Sequence, residues 1–282
     1  MTFTGFIGFV FNFPLRAIIW ICVKLGINPN VLTFTGVVVN VVAAWELAHG
    51  HFMSAGWWMV GANVFDYIDG KVAGERNKVT EFGAFFDSVM DRISDIILFI
   101  GLLALYNEVG TGHMDYVLTT SLAMMFAVMT SYTRARAESL VDKCKVGFME
   151  RPERIVLFMI GAFTNRMAAV MWVLLVLSVL TVLDRIFFTY RELKAGRSLA
   201  AVKAGTAPPP IPATQPGVVQ RTLALPQVIL WRGLFWTYER ASWQYDVMVM
   251  LILAFVWLTP PGWLADPMAL HGRGFLQWAF GW

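Results

Sequence analysis

Charged residues are scarce in this chain, 15% of its 282 positions against 57% hydrophobic ones. Soluble domains carry about 25% charged residues, so the shortage excludes an ordinary water-soluble globule and points to a protein that faces lipid. The net charge of +3 is too small to favour a polyanionic partner, and no nucleic acid is expected. Cysteine is nearly absent. Cys22 and Cys144 both fall near the side expected to be cytoplasmic, which favours free thiols over a disulfide. His49, His51, His113 and His271 lack ligand spacing and sit in predicted loops or the tail, so they are read as surface groups. No internal repeat is visible. The first 24 residues are apolar, lack a basic leading region and are broken by Pro14 and Arg16. A cleaved signal peptide is therefore not expected, and an interfacial helix lying on the membrane over residues 1–24 is.

What the chain has is hydrophobic length. A membrane-crossing helix needs roughly 20 apolar residues. Windows near that length run from Val31 to Ala48, Phe52 to Ala73, Gly83 to Tyr106, Tyr116 to Glu138, Pro152 to Phe163 (the short one) and Met167 to Tyr190. Most of the 22 basic residues cluster on alternate connections: Lys71, Arg76 and Lys78 after the second window, Arg134 to Arg154 around the fourth-to-fifth connection, and Arg191 to Lys203 after the sixth. The opposite connections hold only Arg166. By the positive-inside rule this predicts six spans with the N-terminus inside. The expected fold class is an all-α integral membrane protein with a six-transmembrane-helix core over residues 25–192.

Beyond the core, Gly205-Thr-Ala-Pro-Pro-Pro-Ile-Pro-Ala-Thr-Gln-Pro216 cannot continue a helix, so residues 193–220 read as a Pro-rich linker. Residues 221–282 read as a membrane-associated extension. Trp231, Trp236 and Trp243 stand there with Arg232, Glu239 and Arg240, a mixture suited to the headgroup layer. A seventh apolar window, Val247 to Leu264, contains Pro260-Pro261 and either crosses the membrane or dips into its interface.

Against this background four aspartates stand out. Asp66, Asp69, Asp87 and Asp91 follow one another at spacings of three, eighteen and four residues. On a helix, positions three and four apart share a face, so each pair points one way, near the cytoplasmic end of the second span and the start of the third. The connection between them is short enough for the two helices to be antiparallel neighbours. A single aspartate there reads as a solvated helix end. Four on matched faces repel one another unless a cation lies among them, and hard divalent ions such as Mg2+ or Mn2+ take oxygen ligands. Gly70, Ala73 and Gly83 alternate with the carboxylates. Each alone is a helix-packing contact; together they suggest a slot for a bulky ligand.

The run Asp66-x-x-Asp69-Gly70-x-x-Ala73-(x)9-Gly83-x-x-x-Asp87-x-x-x-Asp91 closely resembles the signature of the CDP-alcohol phosphatidyltransferases, integral membrane enzymes with six core helices. The resemblance covers most of residues 25–192 and extends to Asn28-Pro-Asn30 before the first span. It implies that Asp66, Asp69 and Asp87 hold a pair of Mg2+ or Mn2+ ions against the pyrophosphate of a CDP-linked lipid. Asp91 is then a further metal ligand and the general base for the incoming hydroxyl. Asp69, Gly70, Ala73 and Gly83 accommodate the nucleotide, and CMP leaves. One position departs from the pattern: where the family has Arg directly after the Ala, this chain has Gly74, with Arg76 two residues later as a replacement.

A second run, Ser131-Tyr-Thr-Arg-Ala-Arg-Ala-Glu138, precedes Gly147-Phe-Met-Glu-Arg-Pro-Glu-Arg154. Arg134 and Glu138 share a helical face, and Pro152 suits a first helical turn. Juxtamembrane arginines commonly anchor lipid headgroups. Here Arg134, Arg151, Arg154 and Arg185 are expected at one membrane level on three helices, where they can form an anion pocket. These runs are similar to those of the branch that makes phosphatidylinositol phosphate. By that resemblance Arg134, Arg151 or Arg154, and Arg185 grip the acceptor phosphate, assisted by Ser131. The implied substrates are CDP-diacylglycerol and inositol 1-phosphate. Glycerol 3-phosphate, as in phosphatidylglycerophosphate synthases, and free inositol are the alternatives. The resemblance also implies a homodimer, with membrane lipids as surroundings, and a bacterial inner membrane with the active site facing the cytoplasm. A divalent-cation transporter is a rival of a different class, but it would place carboxylates nearer the midplane, in broken helices related by a repeat. A catalytically silent member is a further alternative, opposed by the complete set of metal ligands.

Overall fold

The structure, a computed structural model, describes residues 15–76, 79–108, 114–206, 208, 243–264 and 266–268. Among them there is no strand. The helices are α1 (residues 15–24), α2 (Pro29–Ala48), α3 (Phe52–Glu75), α4 (Glu81–Glu108), α5 (Met114–Glu138), α6 (Arg151–Thr164), α7 (Met167–Lys194), α8 (Leu199–Lys203) and α9 (Trp243–Leu258). A short 3-10 turn, Pro261–Leu264, follows α9. Each of the six predicted core windows is one helix, α2 to α7. By length and composition Pro29–Ala48 and Met167–Lys194 are apolar enough to cross a membrane, and Tyr245–Leu258 is a shorter apolar helix. α3 and α4 carry the aspartates within their apolar stretches, and α6 has only 14 residues.

Local chemistry sets the helix ends. The Asn28 side chain caps α2 by accepting from the Asn30 N–H at 3.2 Å, and Pro29 supplies the fixed φ that suits a first turn. Thr80 caps α4, its hydroxyl accepting from the Gly83 N–H at 2.9 Å. α6 starts with Pro152 in its first turn and ends at Asn165, whose left-handed φ of 54° turns the chain into α7.

The chain divides into two compact units, one holding α1 to α4 and the other α5 to α9. In the first, α2 packs along both α3 and α4. Glycine is required at one of these crossings: a Cβ on Gly101 would lie only 2.4 Å from the Ala44 carbonyl oxygen of α2, whereas one on Gly36 would make an ordinary 3.5 Å contact with the Ala62 carbonyl oxygen of α3. The aspartate-bearing helices α3 and α4 thus share α2 as their main packing partner. Below this trio α1 buries Ile19 and Cys22 against Leu32, Ile68 and Val72, and exposes Ile18, Trp20 and Ile21. The two-faced pattern suits a helix at a lipid interface. Residues 1–14 of the predicted interfacial helix lie outside the described residues, as does Lys78.

In the second unit α7 is central, with α5, α6, α9 and the 3-10 turn against it. Gly161 of α6 sits so near α7 that a Cβ would meet Val170 at 3.0 Å. α9 is anchored at both ends. Tyr245 donates to Glu153 at the start of α6, and the Thr259 carbonyl accepts from Arg166 Nη1 at the α6–α7 turn, 3.0 Å away. Tyr116 further donates to the Leu264 carbonyl. The stretch from Tyr245 to Thr259, about 21 Å at 1.5 Å per residue, packs against α7 and is tied to both ends of α6. Cys22 and Cys144 are both free and buried, as expected. Residues 209–242, with Trp231, Arg232, Trp236, Glu239 and Arg240, lie outside the described residues, as do the Trp243 side chain, His113 and His271.

Candidate functional site

α3 ends with Asp66, Asp69 and Gly70 on successive turns, and α4 begins with Gly83 and Asp87. The structure brings three of the four predicted aspartates together. Asp66, Asp69 and Asp87 each offer a carboxylate oxygen, and these atoms lie within 4.8 Å of one another. Two like charges at that separation repel by about 3 kcal/mol at an effective dielectric of about 20, and Asp69 is only 6% exposed. Such a group is stable when a cation shares it. Its donors are all hard oxygens, which fits Mg2+ or Mn2+ and disfavours softer metals. Asp91 is half-buried one turn beyond Asp87 on α4 and does not belong to the three-oxygen group.

The support of this group was not visible in the sequence. Thr33, buried on α2, donates its hydroxyl to Asp69 Oδ2 at 2.5 Å, with the Pro29 carbonyl a more distant acceptor at 3.2 Å. A hydroxyl has one proton, so the shorter contact takes it. Thr33 thereby orients the Asp69 carboxylate from a position 36 residues away in sequence, and no spacing rule links the two. Arg76, the candidate replacement for the missing family Arg, turns instead toward the α1–α2 turn, donating from Nη1 to the Ile27 carbonyl at 2.6 Å. It ties that turn to the end of α3.

The small residues differ in what surrounds them. A Cβ on Gly70 would meet nothing within 4 Å, so the space beside Asp69 is open. Gly74 is open in the same way. At Gly83 a Cβ would lie 3.0 Å from the capping Thr80 hydroxyl and 3.7 Å from Asn30 Oδ1. Gly83 is thus required in part by the N-terminal cap of α4. Ala73 is half-buried.

The predicted arginines form a network within the second unit. Arg185 of α7 and Arg154 of α6 are each 2% exposed. Both converge on Thr130 of α5: Arg154 Nη1 donates to its hydroxyl at 2.9 Å, and Arg185 Nη1 to its carbonyl. Arg185 Nε also donates to the Val146 carbonyl at 3.0 Å. Arg134 pairs with Glu138 at 3.2 Å, the helical neighbour expected from spacing, and with Glu150 at 2.9 Å. Glu150 also faces Arg185 Nη2 at 3.5 Å. Arg151 opens α6 beside it, and Ser131 is half-buried next to Thr130. Thr130 and Glu150 are the members that sequence reasoning missed, although both adjoin residues it singled out. Four guanidinium groups gathered around Glu138, Glu150 and Thr130 are a composition suited to binding phosphate.

Comparison with known proteins agrees with this chemistry. The family model described as CDP-alcohol phosphatidyltransferase matches residues 26–190. Archaetidylinositol phosphate synthase of Methanothermobacter thermautotrophicus is 34% identical over 177 residues, covering 61% of this chain and 87% of the relative. Phosphatidylinositol phosphate synthase of Mycobacterium tuberculosis is 34% identical over 176 residues, 58% of this chain and 79% of the relative. A crystal structure of the M. tuberculosis phosphatidylinositol phosphate synthase with CDP-DAG bound matches with a TM-score of 0.58 at 30% identity, over 67% of this chain and 96% of that one. The same enzyme in complex with manganese and citrate matches with a TM-score of 0.59 at 29% identity, over 67% and 91% of the two chains.

Proposed function

The chain belongs to the CDP-alcohol phosphatidyltransferase family, whose members are membrane-embedded enzymes, and from that premise we propose that it transfers the phosphatidyl group of CDP-diacylglycerol to inositol 1-phosphate, giving phosphatidylinositol phosphate and CMP. The observation that carries this reading is the group of three carboxylates, Asp66, Asp69 and Asp87, within 4.8 Å, inside the stretch that the family model matches.

Asp66, Asp69 and Asp87 hold two divalent ions, with Asp91 as an additional ligand. When bound, such ions neutralise charge on the phosphate oxygens of the donor. Asp91 Oδ accepts the proton of the attacking hydroxyl, a role for which a carboxylate one turn from the metal ligands is well placed. The open face at Gly70 admits the nucleotide, and Ala73 and Gly83 extend that face. Arg134, Arg151, Arg154 and Arg185 bind the phosphate of the acceptor, with Ser131 assisting. A phosphorylated acceptor is favoured because Arg134, Arg154 and Arg185 converge on Thr130 and Glu150, with Arg151 at the start of α6, a concentration of guanidinium groups suited to a phosphate. Relatives named for two different lipids share an inositol phosphate head in their names, which favours inositol phosphate over glycerol 3-phosphate.

The reading includes six core spans over residues 25–192, an interfacial helix over 1–24, a linker over 193–220 and an extension over 221–282, with the active site on the cytoplasmic side of a bacterial inner membrane and the enzyme a homodimer. The test is CMP release by purified protein with CDP-diacylglycerol and Mg2+, with inositol 1-phosphate, inositol, glycerol 3-phosphate or serine in parallel and Asp91→Asn beside the wild type. Release with inositol 1-phosphate alone, lost in Asp91→Asn, is the expected result. Release with glycerol 3-phosphate alone would reassign the acceptor. Metal-independent release would overturn the carboxylate assignment.

A further inference from the structure

α9 lies outside residues 26–190, the stretch covered by the family model, so the family fold assigns it no task. Its contacts do. The connection between α5 and α6, residues 139–150, delivers Glu150 into the arginine network and leads directly to Arg151 and Arg154. α5 holds it through Arg134, bonded to Glu150, and through Glu138, which accepts from the Cys144 N–H at 3.4 Å. α7 holds it through Arg185, bonded to the Val146 carbonyl, and through Thr181, whose hydroxyl accepts from the Met149 N–H at 3.0 Å. Gly147, with φ of 91°, passes so close to α7 that a Cβ would fall 2.4 Å from Thr181 Cγ2.

The third hold comes from α9. The ring of Tyr245, in its first turn, lies 5.3 Å from the ring of buried Phe148 at an interplanar angle of 40°, a tilted arrangement favoured between aromatic rings. The Tyr245 hydroxyl donates to Glu153 Oε1 at 3.3 Å. Phe148 and Glu153 bracket Glu150 and Arg151, so one side chain grips both flanks of the segment where the acceptor-binding groups emerge. α9 is itself immobilised, with Ile252 and Val256 buried and its far end tied through Thr259 to Arg166. A tyrosine on a helix anchored at both ends is a rigid support for a loop that has no regular structure of its own.

We infer that Tyr245 is a positioning residue for the acceptor, and that α9 serves as a strut that sets the α5–α6 connection and with it the affinity for the acceptor phosphate. The inference rests on the reading of Arg134, Arg151, Arg154 and Arg185 as the acceptor-phosphate group. Tyr245 touches no reacting atom. Its contribution is to the geometry of Glu150 and Arg151, and it therefore acts on one substrate and spares the other.

The experiment uses the full chain in lipid nanodiscs, as wild type, Tyr245→Ala and Tyr245→Phe. CMP release is followed with inositol 1-phosphate varied at saturating CDP-diacylglycerol, and then with CDP-diacylglycerol varied at saturating inositol 1-phosphate. Losing the Glu153 hydrogen bond and the Phe148 ring contact is expected to raise the KM for inositol 1-phosphate about tenfold in Tyr245→Ala, equivalent to about 1.4 kcal/mol, while kcat and the KM for CDP-diacylglycerol stay at wild-type values. Tyr245→Phe keeps the ring contact and recovers most of the affinity. A KM for inositol 1-phosphate unchanged in Tyr245→Ala overturns the inference. So does a parallel rise in both KM values with a fall in Tm, which marks a packing role alone; if Tyr245→Ala does not fold, the same readings on Tyr245→Leu, which keeps apolar bulk but loses both the ring and the hydroxyl, decide. Wild-type protein that releases CMP only with a different acceptor overturns the reading of the acceptor, and the positioning role for inositol phosphate falls with it.

Discussion

Replacing Thr33 by valine keeps the side-chain shape and deletes the single proton that Thr33 gives to Asp69 at 2.5 Å. Both residues are buried, Thr33 8% and Asp69 6% exposed, so water cannot take the place of the lost donor. A hydrogen bond to a charged group contributes about 1.5–3 kcal/mol, and groups that orient a metal ligand commonly change metal affinity by about 10- to 100-fold when removed. The expected result for Thr33→Val is a half-saturating Mn2+ concentration for CMP release raised by that factor, with activity restored at high metal. Thr33→Ser retains the hydroxyl and should behave as wild type. Direct Mn2+ binding by electron paramagnetic resonance separates affinity from turnover. A metal dependence in Thr33→Val indistinguishable from wild type would show that Asp69 does not need this donor, and the account of the carboxylate group given above would fail. A loss of activity that excess metal does not restore would also count against it, since the bond is argued to act through metal affinity.

Three further outcomes are expected. Gly70→Ala adds a methyl group where the protein itself presents nothing within 4 Å, so Tm should hold while the KM for CDP-diacylglycerol rises, as measured by melting in detergent and by initial rates. Gly101→Ala forces its Cβ to 2.4 Å from the Ala44 carbonyl, so α2 and α4 must separate, at an expected cost of about 1–3 kcal/mol visible as a lower Tm. Arg185→Lys keeps the charge but cannot reach Val146, Thr130 and Glu150 at once; leaving those groups unmet should cost about 1–3 kcal/mol and raise the KM for the phosphorylated acceptor more than that for CDP-diacylglycerol.

Hydrophobic windows located α2 to α7 to within a few residues because each of these helices carries a nearly continuous apolar run. The aspartates were legible for a related reason: carboxylates inside such runs are costly, so their spacing carries meaning. The Arg134–Glu138 pair followed from a local rule that acts within a turn. What escaped was long-range. Thr33 reaches Asp69 across 36 residues, and Arg185 reaches Thr130 across 55; such pairings depend on how helices are laid against one another. The role of α2 as the main packing partner of both α3 and α4 escaped for the same reason. α9 was seen as an apolar window, but Tyr245, just before that window, gave no signal of its contact with Phe148.

With α2 as the common partner of α3 and α4, the distance between Asp69 and Asp87 is a property of how each helix crosses α2, the α4 crossing through Gly101 above all, and not of the segment that joins the helices. Insertions or substitutions near Val79 should therefore leave the carboxylate group intact, and that connection is free to acquire other duties. Bulk added at Gly101, where a Cβ would fall 2.4 Å from the Ala44 carbonyl oxygen, would instead push α4 off α2 and spread the carboxylates from more than a helical turn away, so this featureless position behaves as a set-screw for the metal ligands.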